Sequence, residues 1–102
     1  MPTTLERFRL MVKERGSHLR TKSFEDLRQL GHEPTENIAI NSRPATISII
    51  VQPCEDGSVR VVIQGFIKSR FLPWKDVAID GFYKHPDGTV TQMSSEEFYD
   101  YD

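Results

Sequence analysis

A chain of 102 residues, 37% hydrophobic and 27% charged, has the size of one domain, and its six Phe, three Tyr and one Trp exclude a chain without a core. The net charge of -2 predicts no obligatory polyanion partner. Cys54, the single cysteine, excludes an internal disulfide and a cysteine-built zinc site within one chain, and it points to a reducing, cytoplasmic setting.

The elements follow in order. Thr3 and Glu6 have capping-box spacing, and Leu5, Phe8, Met11 and Val12 then share one side of a helical wheel, so a first helix is predicted over about 4–16 with Gly16 or Ser17 ending it. Ser23 is placed as an N-cap for a second helix over about 23–30, with Phe24, Leu27 and Leu30 on one side and Gly31 and Pro34 closing it. After Glu36 the period changes to two. Ile38 and Ile40 form a short candidate edge strand, and Thr46–Gln52 and Val59–Ile67 flank Asp56-Gly57 as a hairpin. Residues 77–84 and Thr89–Met93 flank Asp87-Gly88 as a second one. The tail, 94–102, carries four acids and no base. The fold class predicted is α+β: two helices on one face of a four- to five-stranded antiparallel sheet, with a short C-terminal turn or tail, in a single domain over 1–102.

Alternation assigns Ile47, Ile49, Val51, Val59, Val61, Ile63, Ile67, Val77 and Ile79 to the helix-covered face. The opposite face then holds Ile50, Val62, Phe66, Phe82 and Met93 among polar residues, a grouping that a fully wet face does not need. Phe71 and Trp74 lie in a loop interrupted by Pro73, and Phe98, Tyr99 and Tyr101 in the acidic tail. These ten residues are the candidate interface. Each has a plainer role: the loop aromatics as a core plug, the tail aromatics as a cover for their own sheet.

Chemistry-bearing patterns are absent. His18, His32 and His85 lie in separate connections, glycine-rich phosphate loops are missing, and no two carboxylates stand out by spacing. Catalytic, cofactor and metal residues are therefore assigned to none. Three readings stay open. The first is a non-enzymatic interaction module that forms a homodimer or binds another protein. The second is a small-molecule binder or enzyme with Arg60, Gln64, Asp80 and His85 at a pocket rim. The third is weak nucleic-acid binding by Arg7, Arg9, Lys13, Arg15, Arg20 and Lys22, opposed by their scatter around the wheel. No membrane association is expected, since no stretch nears about 20 apolar residues.

Overall fold

The computed structural model describes residues 3–31, 35–68 and 75–93. Two helices, α1 (Thr4–Arg20) and α2 (Phe24–Leu30), precede five strands: β1 (Glu36–Ile40), β2 (Arg43–Pro53), β3 (Val59–Lys68), β4 (Lys75–Lys84) and β5 (Val90–Gln92). The strands form one antiparallel meander in the order β1-β2-β3-β4-β5. α1 packs on β3 and β4, and α2 packs on β2 and β3. The predicted α+β arrangement is the observed one.

Local chemistry sets the element ends. Thr3 Oγ1 accepts from the Glu6 N–H at 3.1 Å while the Glu6 carboxylate accepts from the Thr3 N–H, closing the capping box. Ser23 Oγ accepts from the Asp26 N–H at 3.1 Å and caps α2. β1 and β2 are joined through Asn41 and Ser42, both at positive φ (50° and 68°), as a two-residue hairpin loop whose twist matches the strands requires. The other two hairpins use the same loop chemistry twice. In each, an aspartate (Asp56, Asp87) accepts from the N–H and hydroxyl two residues on (Ser58, Thr89), and the glycine between them (Gly57, Gly88) takes φ near 90°.

α1 runs four residues past the predicted end. Gly16 is not a stop. It is buried against β4, where a Cβ would lie 1.9 Å from Asp80 Oδ2. The helix stops at Thr21, whose N–H reaches the His18 carbonyl, while the Lys22 N–H reaches that of Leu19, each at 3.1 Å. Gly65 answers it on the sheet: a Cβ there would meet Phe8 Cζ at 2.6 Å and Val12 Cγ2 at 2.9 Å. Two missing side chains thus let helix and sheet approach closely.

The core beneath the helices contains Phe8, Val12, Leu19 and Leu27 from the helices and Ile47, Val51, Val59, Val61, Ile63 and Ile67 from β2 and β3. Burying side chains of this size contributes roughly 1.5–3 kcal/mol each. β4 departs from the sequence reading by one residue. Val61 is paired with Phe82, Ile63 with Asp80 and Gly65 with Ala78, so Phe82, Asp80 and Ala78 face the helices. Val77 and Ile79 occupy the opposite face. Phe82 is fully buried in the core and is not an interface residue. The reason is Arg20. Its guanidinium donates to both Asp80 oxygens (2.7 and 3.1 Å), to the Gly81 carbonyl (3.2 Å) and to Gln92 Oε1 (2.6 Å), and it stacks over the Phe82 ring at 4.8 Å. A buried face that contains Asp80 is thereby neutralised.

Candidate functional site

With the register fixed, the helix-free face reads as four cross-strand rows. Thr46, Phe66 and Val77 form the first, and Ser48, Gln64 and Ile79 the second. Ile50, Val62 and Gly81 form the third, Gln52, Arg60 and Tyr83 the fourth. β5 adds Thr91 beside Tyr83, and the Met93 N–H reaches the Gly81 carbonyl at 3.5 Å, extending the third row. Large apolar residues therefore fill a continuous band: Phe66 and Val77 at one end, Ile79 next, then Ile50, Val62 and Met93. The far end is polar. Arg60 donates to Gln52 Oε1, and His85 Nε2 lies 2.8 Å from Thr91 Oγ1.

Four of the ten predicted interface residues, Ile50, Val62, Phe66 and Met93, are brought together on this face. Phe82 is turned away from it. Phe71, Trp74, Phe98, Tyr99 and Tyr101 lie outside the described residues. Val77 and Ile79, assigned by alternation to the covered face, belong to this one instead. Burial within the band is uneven. Val62 and Met93 are buried, at 1% and 4% exposure, although neither belongs to the core cluster beneath the helices. Ile50, Phe66, Val77 and Ile79 are half-buried and are the apolar groups this face still offers.

The rim residues imagined around a pocket do not converge. Asp80 is on the helix side with Arg20, while Arg60 and Gln64 are on the helix-free face and His85 is in the last hairpin. Among the described residues no three His, Cys, Asp or Glu side chains could hold one metal ion. Cys54 is half-buried at the β2–β3 hairpin, with Sγ 4.0 Å from the Gln52 carbonyl. A groove of about 350 Å³ lies beside Phe66, with Lys68 and Lys75 on its wall, and another of about 290 Å³ lies between α1 and β4.

The basic segment is divided. Arg15 makes a bidentate pair with Glu36, and Arg20 is committed to Asp80. The pairing holds the Glu36 carboxyl below its ordinary range and raises Arg15. Arg9 and Lys13 are exposed and line the α1–β4 groove. Among the described residues, no helix is long and apolar enough to cross a membrane. No known protein family, no curated protein and no solved structure matches this chain.

Proposed function

We propose that the chain is a small non-enzymatic interaction module that pairs with a second copy of itself through the helix-free face of its sheet. One observation supports the reading above the others: Ile50, Phe66, Val77 and Ile79 remain half-buried in one apolar band that neither helix covers. Antiparallel sheets tolerate one wet face, but that face then alternates to polar residues. A band of branched and aromatic side chains with Gln64 in its middle, rimmed by Gln52, Arg60 and Lys68, has the layout of a contact surface.

The same geometry bounds the strength. Six residue steps along three strands give a projected area of roughly 300 Å². A stable interface buries about 800 Å² per partner. The dimer we propose is therefore weak, forming in the micromolar range, and it gains area from beyond the band. Phe71, Trp74, Phe98, Tyr99 and Tyr101 remain the proposed anchors.

Sedimentation velocity from 1 to about 500 micromolar tests this, with Phe66→Asp as the variant. The wild type should shift from monomer towards dimer. The variant should stay monomeric with an unchanged circular dichroism spectrum. A strict monomer in both would remove self-association.

A further inference from the structure

We infer that the groove between the α1–α2 connection and the β4–β5 hairpin binds a small aromatic carboxylate. Lys84 carries the argument. It is 7% exposed, and its ammonium donates to the Arg20 carbonyl at 3.1 Å. That carbonyl lies in the last turn of α1, where partial negative charge collects and offsets part of the cost of burial. The single hydrogen bond leaves two of the three N–H groups for another acceptor. No carboxylate pairs with Lys84 among the described residues. A buried charge with an acceptor but no counter-ion is little screened and attracts an anion.

Lys84 lines a groove of about 480 Å³ together with Lys22, Phe24, Glu25, Pro86 and Asp87. That volume lies within the range of small-molecule sites. Charge sets the ligand class. Lys22 is half-buried and, like Lys84, makes no ion pair with a described residue. Glu25 is held by Arg28 and Gln29, and Asp87 accepts from the Thr89 N–H and hydroxyl. The three cations Lys22, Lys84 and Arg28 exceed the two carboxylates by one. A monoanion therefore balances the site, and a phosphate dianion overshoots it. Shape sets the rest. Phe24 is half-buried against the core, and Pro86 is exposed on the hairpin, so each side of the groove has an apolar wall suited to a ring. The groove lies on the helix-covered side of the sheet. It is separate from the self-pairing face, and neither requires the other.

The test titrates the full nitrogen-15-labelled chain with phenylacetate in the millimolar range and follows its amide shifts. Saturable shifts are expected at Lys22, Phe24 and Gly88. Lys84→Met keeps the apolar stem and removes the ammonium, so affinity should fall about tenfold or more. Should that variant fail to fold, Lys22→Gln at the groove wall reads a smaller loss in a chain with its core intact. Acetate should bind more weakly than phenylacetate, and benzyl alcohol should not bind. No saturable shift at these amides, an equal response to benzyl alcohol, or affinity unchanged in the folded variants would overturn the proposal. Tighter binding of phenyl phosphate than of phenylacetate would overturn the assignment of a monoanion.

Discussion

Replacing Gly65 by alanine tests how α1 sits on the sheet. The added methyl would lie 2.6 Å from Phe8 Cζ and 2.9 Å from Val12 Cγ2. Carbon atoms rest at about 3.5–4.0 Å, so the overlap is on the order of 1 Å. Phe8 and Val12 are 0% and 2% exposed, and neither can swing into water. The helix must lift instead. Overpacking of this kind costs about 1–3 kcal/mol, while alanine recovers roughly 0.5–1 kcal/mol over glycine in a strand. The net expectation is a loss of about 1.5 kcal/mol, read in urea as a lower midpoint at unchanged slope and on heating as a fall of roughly 6–12 °C. Phe8→Leu removes the ring tip that the methyl strikes, so the double variant should cost clearly less than the sum of the singles. Stabilisation by Gly65→Ala, or strict additivity with Phe8→Leu, would refute the packing argument.

Gly16→Ala should also destabilise, even though alanine is about 1 kcal/mol better in a helix, because its Cβ would displace the Asp80 carboxylate from Arg20; thermal melts decide the sign. Asp80→Ala strands Arg20 over Phe82, where the side chains of the pair are 22% and 14% exposed. Breaking a buried pair costs about 3–5 kcal/mol, which partial exposure reduces to about 2–3 kcal/mol; urea titration measures it. Asp56 and Asp87 are held below the ordinary carboxylate value of 3.8, Asp56 chiefly by the Ser58 hydroxyl and then its N–H, Asp87 chiefly by the Thr89 N–H and then its hydroxyl. A depressed folded pKa adds stability above the unfolded value and loses it as the pH falls through the folded one. Melting temperatures should therefore drop as the pH falls from 4 to 2, and drop less steeply when Asp56→Asn and Asp87→Asn are combined; parallel curves would contradict this.

The helices, the two Asp-Gly hairpin turns and the core faces of β2 and β3 were legible because their signals are local, whereas the Asn41-Ser42 turn was not read. Capping residues, Asp-Gly pairs and strict alternation act within a few positions. β4 was not. Its helix-covered face reads Asp76, Ala78, Asp80, Phe82 and Lys84, and its helix-free face reads Val77, Ile79, Gly81 and Tyr83. Hydrophobicity alone inverts the two. The inversion is stable because Arg20, sixty residues earlier, satisfies Asp80, and because the buried Lys84 ammonium donates to the Arg20 carbonyl at 3.1 Å. No window along β4 contains that partner. Gly16 misled for a related reason: a glycine that ends a helix and one that admits a neighbour look alike until the neighbour is known.

Hydroxyl-radical footprinting of Phe66 and Ile79 across a micromolar dilution series tests the contact face most directly. Both side chains should become less reactive as concentration rises, while Leu10, 55% exposed on α1, stays constant. Reactivity at Phe66 and Ile79 that does not change with concentration would contradict pairing through this sheet face.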